Sequence, residues 1–194
     1  MKIIAATSNK GKVREIKSIF SDMDIVSMRE AGIDIEIEEN GESFLENALI
    51  KARVIANLCD CAVLSDDSGL CVDALDGAPG IYSARYAGEN ATDEERYQKL
   101  LKVLENETNR NAHFTSAVAL ILPDGRELTA LGYVDGKIGY EPLGENGFGY
   151  DPIFICDELG KTFAQATDDE KNSISHRKRA LEQVYRKLML EVGE

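Results

Sequence analysis

The sequence is short of basic residues, proline and cysteine, and it has no long apolar run. Against 35 Asp+Glu stand only 22 Lys+Arg, a formal net charge of −13 over 194 residues. A surface of that sign repels a phosphate track, which excludes a whole-surface binder of nucleic acid or anionic membrane. No apolar stretch approaches the ~20 residues that a membrane span needs. The opening MKIIAATSNKGK turns polar too soon for a signal-peptide core. The chain therefore reads as soluble and cytoplasmic. Its 4 prolines are scattered, and there is no Pro/Ser linker, repeat or low-complexity tract. Cys59, Cys61, Cys71 and Cys156 form no CxxC pair. They read as buried reduced thiols rather than disulfides or a zinc site.

The remaining composition, 43% hydrophobic and 29% charged, is that of a globular protein and excludes disorder. The length suits one domain, or one domain with two lobes. Ile3–Ala6 reads as a buried first strand, followed by polar Thr7-Ser8-Asn9 and then Val13, Ile16, Ile19 and Phe20 at helical spacing. Thr7–Lys12 is thus a strand-to-helix junction. Ser43…Glu46 and Thr92…Glu95 match capping boxes, each ahead of an apolar stripe: Leu45, Ala48, Leu49, Ala52, Ile55, Ala56 in the first, Tyr97, Leu100, Leu101, Leu104 in the second. Ala62–Leu64 is a short apolar run ending in Ser65-Asp66-Asp67-Ser68-Gly69. Phe114–Leu122 and Glu127–Val134 are β-prone and flank the turn Pro123-Asp124-Gly125-Arg126, which predicts a hairpin. A last helix is expected from about Ser175, with Ala180, Leu181, Val184, Tyr185 and Leu188 inward. Helices alternating with strands around a central hairpin predict an α/β domain with a mixed sheet.

Six segments could carry chemistry. Thr7-Ser8-Asn9-Lys10-Gly11-Lys12, at a helix start, would offer unpaired N–H groups, hydroxyls and two lysines to a phosphate, or be no more than a polar cap. It is neither a P-loop nor a GxGxxG turn. Asp34, Glu36, Glu38, Glu39, Glu42 and Glu46 form an acidic stretch without a base, and Asp66-Asp67 follows a buried-looking strand. Such carboxylates suit Mg²⁺, the alternatives being a solvated face for the first and a capped turn for the second, where two adjacent acids repel unless something compensates. Gly77-Ala78-Pro79-Gly80…Arg85 is a tight loop, structural or ligand-binding. In Gly147-Phe148-Gly149-Tyr150-Asp151 an aromatic between glycines could stack on a flat ring while Asp151 accepts a hydrogen bond from it, or could plug the loop. Lys171…His176-Arg177-Lys178-Arg179 clusters cations near a helix start, against the dipole preference, which points to an anionic partner.

Taken in order, these motifs resemble one family, the inosine/xanthosine triphosphate pyrophosphatases. The resemblance rests on Thr7-Ser8-Asn9…Lys12, Glu38-Glu39-Asn40-Gly41…Ser43-Phe44…Glu46-Asn47-Ala48…Lys51-Ala52, and Asp66-Asp67-Ser68-Gly69-Leu70. It continues through Gly77–Arg85, Gly147-Phe148-Gly149-Tyr150-Asp151-Pro152 and Ser175-His176-Arg177, spanning nearly the whole chain. It implies Mg²⁺-dependent hydrolysis of a deaminated purine nucleoside triphosphate (ITP, dITP, XTP) to the monophosphate and pyrophosphate. It also implies an elongated α/β fold over residues 1–194, two lobes around a long mixed sheet with a central cleft, and a homodimer. By position, Thr7, Ser8, Asn9, Lys10, Gly11 and Lys12 would hold the phosphates, joined by Lys51, Ser68 and Lys171. Glu39 and Asp67 would bind Mg²⁺, with Asp67 also the proton acceptor from water. Phe148, with Gly149 and Tyr150 in its loop, would stack on the base, and Asp151, His176 and Arg177 would meet the base edge. Position 8 is Ser where many members have Gly. A nucleotide-binding sensor without catalysis and a pyrophosphatase for modified pyrimidine nucleotides are the alternative readings. The charge distribution suits a small polyanion: residues 2–17 and 171–187 together hold half of the 22 basic residues.

Overall fold

The structure, a computed structural model, describes residues 1–192, without the side chain of Val192, so Gly193 and Glu194 of the expected 1–194 domain lie outside it. In chain order the elements are β1 (Lys2–Ala5), α1 (Lys10–Ile19), β2 (Asp24–Ser27), α2 (Phe44–Ala56), β3 (Ala62–Val72) and α3 (Asp93–Val103). There follow β4 (Asn111–Ile121), β5 (Glu127–Ile138), β6 (Phe154–Cys156), β7 (Lys161–Thr162), α4 (Asp168–Ile174) and α5 (His176–Val192). The strands form one mixed sheet in the order β2-β1-β3-β4-β5-β6-β7, flanked by helices, as the α/β reading expects. The chain divides into two compact units. The first comprises Met1–Asp67, Ser116–Gly132 and Arg177–Glu194, the second Ser68–Thr115 and Tyr133–His176.

In the first unit β1 pairs in parallel with both β2 and β3. Its run of apolar residues is continuous because both faces of the strand are covered. Ile3 and Ala5 point into one core with Ile16 and Phe20 of α1 and Ala180, Leu181, Val184 and Leu188 of α5. Ile4 and Ala6 point the other way, against Ala48, Ala52 and Ile55 of α2. Alternating side chains of one strand thus feed two cores. The Phe20 and Tyr185 rings meet edge to face at 5.2 Å, adding a directional contact to that burial.

The second unit has its own core of Leu70, Leu100, Leu104, Phe114, Phe154 and Phe163 among others. Here β6 pairs antiparallel with β5 and with β7. Arg110 is buried, and its guanidinium donates to the carbonyls of Leu104, Ile138 and Gly139, so the charge is shared over three acceptors.

Both capped helices form where expected. Thr92 and Glu95 close a full capping box. At α2 the box is only half formed: Ser43 accepts from Glu46 N–H, while the Glu46 carboxylate takes the N–H of Glu42 instead. The hairpin closes with Leu122 N–H on the Arg126 carbonyl at 2.9 Å. Three expectations are corrected. Apart from Cys156 the cysteines are half-buried rather than buried, and all four are free thiols. The strand expected over Ala62–Leu64 continues through Asp66-Asp67 to Val72, because each acid finds a partner in the folded chain. The Gly77–Arg85 segment contains a 3₁₀ turn over Gly80–Arg85. It is pinned by the buried Ser83 hydroxyl, which accepts from Leu70 N–H and donates to the Gly80 carbonyl.

Candidate functional site

The β1–α1 junction turns its polar side chains back on itself. Asn9 caps α1, its Oδ1 accepting the N–H groups of Gly11 at 2.8 Å and Lys12 at 3.2 Å. Thr7 Oγ1 accepts Asn9 N–H at 3.1 Å. The amides of Asn9, Gly11 and Lys12 are therefore engaged within the turn, as a good N-cap residue dictates. Ser8 and Lys10 are exposed. Thr7, Ser8, Asn9 and Lys12 line a pocket of about 800 Å³ together with Glu39, Lys51 and Asp66. Arg29, Asp34 and Glu36 complete its polar wall. Arg29 is a cation that the sequence reading passed over, having no motif around it.

Adjacent residues of a strand point to opposite sides, and Asp66 and Asp67 meet different surroundings. Asp66 is buried between two cations, Lys12 Nζ at 2.9 Å and Arg177 Nε at 3.0 Å from its Oδ2. Burial pushes its carboxyl up, but Lys12 and Arg177 overcome this and hold it well below the usual carboxylate range. Arg177 also meets Glu15 at 3.2 Å. Arg177 thus meets a carboxylate pair from β3 and α1. Burial works against the Arg177 charge too, and Asp66 and Glu15 reverse it, raising the guanidinium further.

Asp67 sits with Lys51 and Asn47 of α2. Asn47 Nδ2 donates to its Oδ2 at 3.1 Å, and Lys51 Nζ lies 3.9 Å from its Oδ1. The same ammonium is 2.7 Å from Glu39 Oε1. Burial raises the Asp67 carboxyl above its ordinary value; Lys51 opposes this and the nearby Glu39 charge adds to it. Two neighbouring carboxylates are thereby separated into a fixed anion and a potential proton acceptor. Glu39 and Asp67 converge on a cation, Lys51, and are hard oxygen donors of the kind Mg²⁺ takes, one or two carboxylates being completed by water and phosphate oxygens. Among the described residues no cluster of three or more His, Cys, Asp or Glu forms a metal cage.

The second unit carries the other expected residues. Ser68 is half-buried in β3. Phe148 is 62% exposed, its ring 4.5 Å from Lys171 Nζ. Lys171 is also paired to the buried Asp151. Asp151 Oδ2, expected to accept from a bound ring, here accepts from Phe148 N–H at 2.8 Å and from Lys171. Burial pushes its carboxyl up against the pull of Lys171. Gly149 N–H donates to Asp93, and Tyr150 is buried in the core, its hydroxyl donating to the Ser83 carbonyl. His176 is buried and stacked on Phe114, centroids 5.0 Å apart at 12°.

The loop depends on Gly147, which has φ +78° and would place a Cβ 2.1 Å from Asp151 Oδ2. Gly147→Ala adds a left-handed backbone cost of about 1–2 kcal/mol and displaces Asp151. It is expected to lower the melting temperature by about 2–8 °C and to raise KM for a purine triphosphate. Steady-state kinetics and a thermal melt check both.

A family model described as the Ham1 family matches residues 3–187. A dITP/XTP pyrophosphatase of an Exiguobacterium species is 48% identical over 194 residues, covering 99% of this chain and 97% of the relative. One from Clostridium tetani is 45% identical over 191 residues, covering 96% and 95%. Among solved structures, the Ham1 protein of Staphylococcus aureus superposes with a TM-score of 0.91 at 43% identity over 100% of both chains. A HAM1 protein from Coxiella burnetii gives 0.92 at 42% identity over 98% and 99%.

Proposed function

The chain belongs to the Ham1 family, and from that premise we propose that it hydrolyses deaminated purine nucleoside triphosphates such as ITP, dITP and XTP to the monophosphate and pyrophosphate. One observation supports the reading most directly: Lys12, Lys51 and Glu39 line one pocket, with Asp67 beside Lys51. A pure nucleotide binder has no need of raised and buried acid next to a triphosphate. The names of the relatives agree with the reaction.

In this reading Asp67 accepts the proton as water attacks the α-phosphorus, and the bond to the bridging oxygen breaks to release pyrophosphate. An ammonium carries three donors, so Lys12 and Lys51 can each keep a carboxylate and still meet a phosphate oxygen. Their charge offsets what develops on the leaving group. Glu39 and Asp67 would hold Mg²⁺, which supplies charge neutralisation on phosphate and a more acidic bound water. Ser8, Lys10 and the Thr7–Asn9 turn border the phosphates, with Ser68 following Asp67 in the chain. Phe148 offers the exposed ring on which a base stacks. His176 and Arg177, the latter steadied by Asp66 and Glu15, read the 6-keto edge. Lys171 and Asp151 set the Phe148 loop. The resemblance further supports a homodimer working in the cytoplasm; among the described residues no helix is long and apolar enough to cross a membrane.

A donor aimed at a 6-keto oxygen is left opposed by the amino group of adenine. Such a mismatch discriminates by about 10⁴-fold or more. The test is a panel of triphosphates with Mg²⁺, reading kcat/KM and product. ITP is expected to exceed ATP by that factor with pyrophosphate as the sole inorganic product. Orthophosphate, or equal turnover of ATP, would overturn the reading.

A further inference from the structure

Asn47 touches the carboxylate that the reaction needs, yet none of the roles above is its own. It lies in α2 and is 1% exposed. Its Nδ2 donates to Asp67 Oδ2 at 3.1 Å, and its Oδ1 accepts Gly41 N–H at 2.8 Å. These two bonds settle which way the amide points. A carboxylate only accepts and a backbone N–H only donates, so a flipped amide would oppose like groups at both ends. Gly41 is required for the approach, since a Cβ there would lie 2.8 Å from Asn47 Oδ1 and 2.7 Å from Glu46 Cβ. The last torsion of an aspartate is broad and roughly two-fold, so an unanchored carboxylate exchanges its two oxygens. With Oδ2 held by Asn47, Oδ1 is the oxygen turned toward Lys51.

We propose that Asn47 is a positioning residue for the proton acceptor: it holds Asp67 Oδ2 so that Oδ1 takes the proton from water. Through Gly41 it also ties the loop that bears Glu39 to β3. The inference rests on the function proposed above, in which Asp67 is the acceptor; it does not require Asn47 to touch nucleotide. Loss of an outer contact of this kind costs about 10–100-fold.

Two variants divide the two bonds. Asn47→Asp keeps the acceptor for Gly41 N–H and removes the donor to Asp67, whereas Asn47→Leu removes both without adding charge. With ITP and saturating Mg²⁺, each is expected to lower kcat by about 10–100-fold with KM changed by less than about threefold. Unchanged kcat, or a raised KM at constant kcat, would overturn the positioning role. Should the Leu variant fail to fold by thermal melt, the Asp variant carries the same comparison. Repeating Asn47→Asp in an Asp67→Asn background separates the causes. Action through Asp67 predicts no further loss, while an independent structural contribution repeats its full factor and refutes the proposal. If Asp67→Asn alone turns over like the wild type, the acceptor assignment falls, and the role of Asn47 falls with it. If Asp67→Asn is inactive and the Asn47 variants are normal, only the positioning role falls.

Discussion

Asp67→Asn should lower kcat by about 10²–10⁴-fold, the usual contribution of a positioned general base, while leaving nucleotide affinity largely intact. The substitution is isosteric, and the new side-chain oxygen can still accept from Asn47, so the local structure has reason to persist. Removing one negative charge beside Lys51 also eases the approach of phosphate oxygens. Single-turnover kinetics give the rate, and calorimetry with a non-hydrolysable triphosphate gives the affinity. Wild-type turnover would mean that another group takes the proton. Loss of binding with normal kcat would place Asp67 in recognition rather than in chemistry.

The second large effect is on stability. Arg177→Met takes one of the two cations in contact with a carboxylate that is 3% exposed, leaving Asp66 in contact with Lys12. Breaking a buried pair from one side costs about 3–5 kcal/mol because the remaining charge stays in a medium of low polarity. For a chain of this size the melting temperature should fall by roughly 6–20 °C. Arg177→Lys keeps the charge but not the fork that spans Asp66 and Glu15, so it should recover only part of the loss. The sign with pH follows from the depressed Asp66 value. Its stabilising share is fully present above the ordinary 3.8 and is lost as pH falls toward the lower folded value. The destabilisation in the variant should therefore be undiminished between about pH 5 and pH 8, and a melt that moves by less than about 2 °C across that range and against wild type would show that Arg177 contributes little.

Local chemistry explains why some of this was legible. Thr92…Glu95 and the Pro123–Arg126 turn act within four residues, and α3 and the β4–β5 hairpin formed where their signals lie. Thr167…Glu170 is an equally complete capping box, yet α4 escaped the reading because its seven residues bury nothing and show no apolar stripe. The four residues of β2 are too few to show a period. The partners of the charged groups were beyond reach for a different reason. Arg177 and Asp66 are 111 positions apart, and Asn47 and Asp67 are 20 apart, so only the folded chain joins them. Asn47 stood inside a matched motif, but nothing local distinguishes an amide that holds a carboxylate from one that faces water. The same holds for Lys171, whose contacts with Asp151 and Phe148 no local signal gives.

The first unit draws its core from three separated stretches, and this governs how it can be made. A ribosome delivers the chain from the N-terminus at a few to tens of residues per second. Ile3, Ile16 and Phe20 emerge early, but their covering residues Ala180, Leu181, Val184 and Leu188 lie on α5. Until α5 is released, that face of the sheet has no lid, and the buried charge of Asp66 has no Arg177. Contacts of such sequence separation form slowly and leave apolar surface open in the meantime. The second unit, whose two stretches both precede Arg177, has all its residues available first. A nascent chain halted before α5 would thus present an open apolar face and an Asp66 without Arg177, a form for chaperones and proteases to recognise.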